Sequence, residues 1–298
     1  MSDISRRAFL ASTTALGALP GLARAADPQE SDPAAALLLA SQEAAKLVQL
    51  QVMIGNGVDF EFLRMFDDFH DVNVRVNPSP GGYRGLMPDP AAAAAGRGGR
   101  GGFRARTPDV ILLFDQIYDM PQENQSSLQR YIEAGKGVIV LHNALTDYQR
   151  WPFWYRDVVG GSFLQNRNEE LTMKTEKGPA EEMLPGKPAT SPDKMIAPGV
   201  WDFKEYTVYP VGNHPIIRNV QRFTVRDEKY KNVWQAKNIT PVLQTDDSDS
   251  DKVVGWVGPH PKAKVFAFML GHSAEAHAHA MYRKIVHNAV LWAAGRLS

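Results

Sequence analysis

The sequence predicts an α/β fold with a mainly parallel central sheet. Three observations carry this expectation. Residues 109–115 contain the continuous apolar run Val110-Ile111-Leu112-Leu113-Phe114, and residues 138–141 form a second such run. Strands covered by helices on both faces read this way, without polar alternation. Between them lies one helical pattern, with Pro121 at its start, Leu128, Tyr131 and Ile132 as its apolar stripe, and Gly135-Lys136-Gly137 at its end. Strand, helix and strand joined by short connections define a right-handed βαβ unit. Binding and catalytic groups then belong at the C-terminal ends of its strands.

The N-terminus predicts export. Ser5-Arg6-Arg7-Ala8-Phe9-Leu10 sets paired arginines before a mildly apolar stretch that ends at Leu22, and Ala23-Arg24-Ala25 offers small residues for cleavage. Arginine pair, apolar run and cleavage site in this order read as a twin-arginine signal over residues 1–25. The stretch is too short and too weakly apolar to cross a membrane. The expected mature protein is therefore periplasmic or secreted, with the twin-arginine export machinery as its first partner and no integral membrane segment. Residues 26–47 read as a polar, Pro-containing linker and a helix.

The following residues suit one large α/β domain. Lys plus Arg equals Asp plus Glu at 33 each, so no global field argues for nucleic acid as a partner. The chain has no cysteine, which excludes disulfides, cysteine metal sites and a cysteine nucleophile.

Within residues 48–298 the elements follow in order. Residues 48–54 form an apolar strand ending at Gly55-Asn56-Gly57. Phe60, Leu63, Met65, Phe66 and Phe69 have helical spacing behind the N-cap candidate Asp59, and Val72, Val74 and Val76 alternate as a half-exposed strand. Residues 77–107 hold an alanine run, Gly96-Arg97-Gly98-Gly99-Arg100-Gly101-Gly102 and further arginines, and read as a long loop. After the βαβ unit, short strands are expected near 206–209, 223–225 and 242–243. A hairpin is expected from 253–257 and 265–270 around Gly258-Pro259-His260-Pro261, and a closing helix over 278–294.

The chemistry-bearing residues follow from these elements. His142 directly follows the strand at 138–141, and His272 follows the strand at 265–270. Two strand-end histidines suggest one convergent site, with Asn143 and Glu275 beside them. His214 is held extended by Pro215, and Asp227-Glu228-Lys229-Tyr230 adds carboxylates and a phenol after a short strand. Imidazoles with a carboxylate suit either proton transfer near neutral pH or a divalent metal such as zinc. His142, Glu228 and His272 are the catalytic candidates, and His142, His214 and His272 the metal candidates. His70, His260, His277, His279 and His287 read as structural or exposed. Trp151-Pro152-Phe153-Trp154-Tyr155 offers flat rings, of which Trp151 and Tyr155 are candidates for stacking on a sugar. No G-x-S-x-G or P-loop occurs.

Several of these segments, taken in order, resemble the ThuA-like (trehalose utilisation) family over residues 48–298. They are residues 135–142, Trp151-Pro152 with 155–163, His214-Pro215-Ile216, Asp227-Glu228-Lys229-Tyr230, Leu270-Gly271-His272-Ser273 and Leu291-Trp292-Ala293-Ala294-Gly295-Arg296. The resemblance implies a flavodoxin-like three-layer sandwich related to class I glutamine amidotransferases. In those relatives a cysteine follows the strand that His142 follows here, so its absence argues against amidotransferase chemistry. The resemblance also implies a glycoside or keto-sugar substrate, with His142, His214, Glu228 and His272 in the site. Asn56, Asn143, Trp151, Tyr155, Tyr230 and Glu275 complete the expected substrate contacts. One departure stands out: many relatives carry Gly-Gly-His after the first strand, where this chain has Gly55-Asn56-Gly57-Val58-Asp59. The competing expectation is a non-catalytic periplasmic carbohydrate-binding or scaffold protein.

Overall fold

The computed structural model describes residues 46–298, apart from 56–57, 80, 84–85, 88–106, 118–119, 149–150, 164–188 and 199. The expected export signal, most of the linker, Asn56 and most of the Gly/Arg-rich loop lie outside the described residues.

The apolar runs become the centre of the sheet. Strands β1 (Val48–Ile54), β2 (Val72–Pro78), β3 (Val110–Phe114) and β4 (Gly137–Leu141) pair in parallel in the order β2-β1-β3-β4. Every residue of β4 is buried, whereas β2 at the edge buries only Val72. Continuous and alternating patterns thus sort into centre and edge. The helix α1 (Phe60–Arg64) starts where Asp59 accepts from the Phe62 N–H at 2.8 Å. It passes into a 3₁₀ turn (Met65–Asp68) rather than continuing to Phe69 as one helix. Helix α2 (Gln122–Glu133) links β3 to β4 and buries Leu128, Tyr131 and Ile132.

The second half departs from an all-parallel sheet. β13 (Val265–Phe268) pairs in parallel with β4, but β12 (Val253–Val257), β11 (Thr240–Thr245), β8 (Lys204–Pro210) and β9 (Phe223–Asp227) extend it antiparallel in that order. The nine-stranded sheet is therefore a parallel flavodoxin-like core carrying an antiparallel extension. The extension follows from the chain: the hairpin at Gly258-Pro259-His260-Pro261 is too short for a crossover, so β12 and β13 must run antiparallel. Four short strands lie outside the sheet: β5 (Gly161–Ser162) pairs with β10 (Trp234–Gln235), and β6 (Met195–Ala197) with β7 (Val200–Trp201).

Two helices close the chain. Short α3 (Ala274–Ala278) is capped by the Ser273 hydroxyl. Helix α4 (Ala280–Ala293) buries Tyr282, Ile285, Val286, Ala289 and Val290, the spacing of one helix face, against β4 and β13. Each large aliphatic side chain buried there contributes about 1.5–3 kcal/mol. Among the described residues no helix is long and apolar enough to cross a membrane.

Candidate active site

Three side chains from distant segments meet beyond the C-terminal ends of β4 and β13. His142 Nε2 lies 3.0 Å from His272 Nδ1 and 3.5 Å from Glu228 Oε2, and His272 Nδ1 lies 2.5 Å from the same carboxylate oxygen. The Tyr230 hydroxyl donates to Glu228 Oε2 at 2.8 Å. The His142 and Glu228 side chains are 1% and 4% exposed, and that of His272 is 24% exposed. His272 is therefore the member of this trio that opens to solvent.

Local backbone explains the convergence. His142 adopts φ 46°, a left-handed value rare for a side-chain-bearing residue, as β4 turns into a 3₁₀ segment (His142–Thr146). That turn swings the imidazole off the strand end, and its Nδ1 meets the Met269 carbonyl at 3.1 Å. Glu228 follows β9, which is four places from β13 in the sheet. The sheet nevertheless curls enough for Asp227, the last residue of β9, to bond the loop after β13: its carboxylate accepts the N–H groups of Gly271, His272 and Ser273 at 2.6, 3.0 and 2.8 Å. Glu228 and His272 are thereby fixed on either side of one anchored loop.

The electrostatics follow from burial and pairing. Burial pushes the His142 pKa down to about 4, against the pull of Glu228. Burial alone raises that of Glu228, but the hydrogen bond with His272 and the two imidazoles bring it below the ordinary carboxylate range. Burial opposes a charge on His272, yet Glu228 outweighs it and raises the His272 pKa. Within the trio, charge is thus disfavoured on His142 and favoured on His272 and Glu228.

The remaining sequence candidates divide. Tyr230 belongs to the site through Glu228, its ring 5.8 Å from that of His142 and stacked on Phe163 at 3.9 Å. Asn143 is half-buried next to His142, and its carbonyl accepts the Thr146 hydroxyl. His214 does not join: it caps the 3₁₀ turn Pro215–Ile217 through Ile216 N–H and packs on Trp292 at 4.9 Å. Its extended, pre-proline backbone suits this capping role. Glu275 is exposed in the first turn of α3, on the side away from the buried face. Trp151 and Tyr155 serve packing. Trp151 stacks at 12° on Trp154, and Tyr155 lies buried edge-on to Trp234, beside and within a π-helical turn (Phe153–Val159).

The rings beside the solvent-facing histidine are instead Trp201 and Phe203, 5.2 and 5.0 Å from His272 and parallel to each other within 4°. They fall in residues 164–209, a stretch rich in Lys, Glu and Pro whose sequence shows no regular period. His142, Glu228 and His272 are also the group of potential metal ligands found among the described residues, with donor atoms within 4.8 Å of one another.

An α/β protein with a buried His–Glu–His cluster at the carboxyl edge of its sheet is the class that this geometry defines. Residues 105–293 match the family described as ThuA, trehalose utilisation. The fold is similar to that of a ThuA-like protein from Parabacteroides merdae, at 15% identity and a TM-score of 0.58 over 85% of this chain and 92% of that one. It is likewise similar to a ThuA-like protein from Bacteroides uniformis, at 14% identity and a TM-score of 0.53 over 83% and 91%. No curated protein sequence matches. The chain belongs to the ThuA family.

Proposed function

We propose that this chain is an exported enzyme of carbohydrate metabolism that acts on a glycoside or keto-sugar at the His142–Glu228–His272 cluster, by histidine-assisted proton transfer. The observation that carries the reading is the meeting of these three groups at one strand edge, with His272 alone open to solvent. A keto-sugar has acidic C–H bonds beside its carbonyl. Removing such a proton needs a base within reach and positive charge near the oxygen where the enolate develops. A buried cluster of two imidazoles and a carboxylate offers both functions, and water exclusion around His142 and Glu228 strengthens each interaction. The family description, trehalose utilisation, supports a carbohydrate as the substrate. The arginine pair and cleavage site at residues 6–25 support export. Purified His142→Ala and His272→Ala should each lose turnover of keto-glycosides by at least about a hundredfold relative to the parent protein. Unchanged turnover in both variants defeats the reading.

A further inference from the structure

We infer that His142 Nε2, Glu228 Oε2 and His272 Nδ1 together bind a divalent first-row transition cation of the zinc type. The donor set differs from the sequence candidates His142, His214 and His272, because Glu228 stands where His214 was expected.

The Met269 carbonyl can only accept, so His142 Nδ1 must carry the ring proton that faces it. With its proton on Nδ1, the neutral form of the ring turns the Nε2 lone pair toward His272 Nδ1 and Glu228 Oε2. His272 Nδ1 can carry one proton, and that proton faces two acceptors, 2.5 and 3.0 Å away. The His142 lone pair and the Glu228 carboxylate are 3.5 Å apart with no donor of their own between them. Apart from that shared imidazole proton, the donor that reaches this set is the Tyr230 hydroxyl, at Glu228 Oε2. One cation placed among the three atoms compensates all of them.

Geometry agrees. Ligand atoms each about 2 Å from a shared ion lie roughly 3–3.5 Å from one another. Two of the observed separations, 3.0 and 3.5 Å, fall in this range, and the His272–Glu228 separation of 2.5 Å is shorter, so those two atoms must part by about 0.5 Å or more around an ion. Both partly hidden ligands have the outer partners that metal ligands use. His142 gives its other ring nitrogen to a backbone carbonyl, and Glu228 receives the Tyr230 hydroxyl. Two imidazoles and one carboxylate favour zinc-like ions over magnesium or calcium, which prefer oxygen. Three protein ligands leave a further position, and the exposure of His272 puts it on the solvent side.

The chemical use of such a cation rests on the carbohydrate reading above, whereas its binding does not. The ion would lower the pKa of a water on that open position toward neutrality, so that the water gives a proton to solvent and the resulting hydroxide takes the proton beside the carbonyl and becomes water again; the histidines would then assist the transfer as ligands that hold the ion.

The test measures binding by itself. The full mature chain, stripped with a chelator and dialysed, is titrated with zinc chloride by calorimetry, and with cobalt(II) while its visible absorption is followed. The expected result is one site per chain and a cobalt spectrum of low coordination number. Glu228→Gln and His272→Ala should abolish the site, Tyr230→Phe should weaken it by about tenfold, and His214→Ala should leave it intact. Circular dichroism checks that each variant is folded. No stoichiometric site in the parent chain overturns the inference, as does a site that survives Glu228→Gln and His272→Ala. Parent protein that binds zinc yet turns over no keto-glycoside leaves the cation in place and removes only the carbohydrate reading.

Discussion

The Asp227 carboxylate accepts the backbone N–H of His272 at 3.0 Å, so the residue before Glu228 fixes the residue that Glu228 pairs with. The same carboxylate holds the N–H groups of Gly271 and Ser273. Burial raises the Asp227 pKa, and these bonds work against that rise. In Asp227→Ala, the two buried donors Gly271 and Ser273 and the half-buried His272 N–H lose their acceptor, at about 1–3 kcal/mol for each buried one before relaxation. Urea denaturation should show a loss above about 3 kcal/mol, together with loss of turnover. Asp227→Asn keeps one acceptor oxygen and should fall between the two. A variant with alanine at 227 as stable as the parent would show that the loop sets its own shape.

Gly271 illustrates a second constraint on this loop. Its φ is 116°, and a methyl group there would collide with the Tyr282 hydroxyl. That hydroxyl is buried and has no hydrogen-bond partner among the described residues. Tyr282→Phe should therefore cost nothing and stabilise by about 1 kcal/mol, since it removes an unpaired buried polar atom. Gly271→Ala should destabilise the parent more than it destabilises a Tyr282→Phe background, because the phenylalanine removes the atom it strikes. Thermal unfolding of the two single variants and the double variant measures this coupling. Strict additivity would locate the whole cost of Gly271→Ala in its backbone angle.

Much of this arrangement is legible in the sequence, for physical reasons that stop at definite residues. The runs at 110–114 and 138–141 are apolar without alternation because both faces are covered, and they mark the sheet centre. His142 and His272 are legible because a polar residue directly after such a run must emerge at the strand end. Glu228 could be named, but not placed, since β9 reaches the site only through the curl of the antiparallel extension. His214 misleads: a histidine before proline looks the same whether it binds a ligand or caps a turn. Trp201 and Phe203 stay hidden because the short pair β6–β7 has too few residues to show a period. The family resemblance supplied the fold name and the expectation of a carbohydrate substrate, which no spacing could.

Asp115 and Asp147 form a second buried polar centre at the same strand edge. Asp115 Oδ1 and Asp147 Oδ2 are buried and have no hydrogen-bond partner among the described residues. A proton retained by one carboxyl removes the charge from that group. Tyr83 also donates to Asp115 at 2.9 Å, and Asp147 accepts the Ile117 N–H at 2.5 Å. Burial raises both pKa values, that of Asp147 well above the ordinary range. The folded chain thus keeps a proton that the unfolded chain releases near pH 4, the usual aspartate value of about 3.9. The corresponding stability is complete below that pH and is lost as pH rises through the folded pKa. Asp147→Asn replaces the titrating carboxyl by a neutral amide, so its unfolding free energy should fall less than the parent's between pH 4 and pH 8. Parallel profiles for parent and variant would show that Asp147 does not hold the proton.

Trp201 and Phe203 test how a substrate reaches His272. Their rings are parallel within 4°, their centroids are 6.1 Å apart, and both lie against the imidazole that opens to solvent. The adjoining strands carry the exposed apolar side chains of Met195, Ile196 and Val200. A half-exposed aromatic surface beside a reacting group contributes to the bound substrate and the transition state alike, because a ring face does not follow the moving proton. Uniform binding of this kind changes KM and leaves kcat in place. Stacking of about 0.5–1.5 kcal/mol converts to a rise in KM of about two- to tenfold for Trp201→Ala on a keto-glycoside. Trp151→Ala, which alters packing against Trp154 instead, should affect stability more than KM. Steady-state kinetics on the two variants separate the roles, and a fall in kcat without a change in KM for Trp201→Ala would place this ring in the positioning of His272 rather than under the sugar.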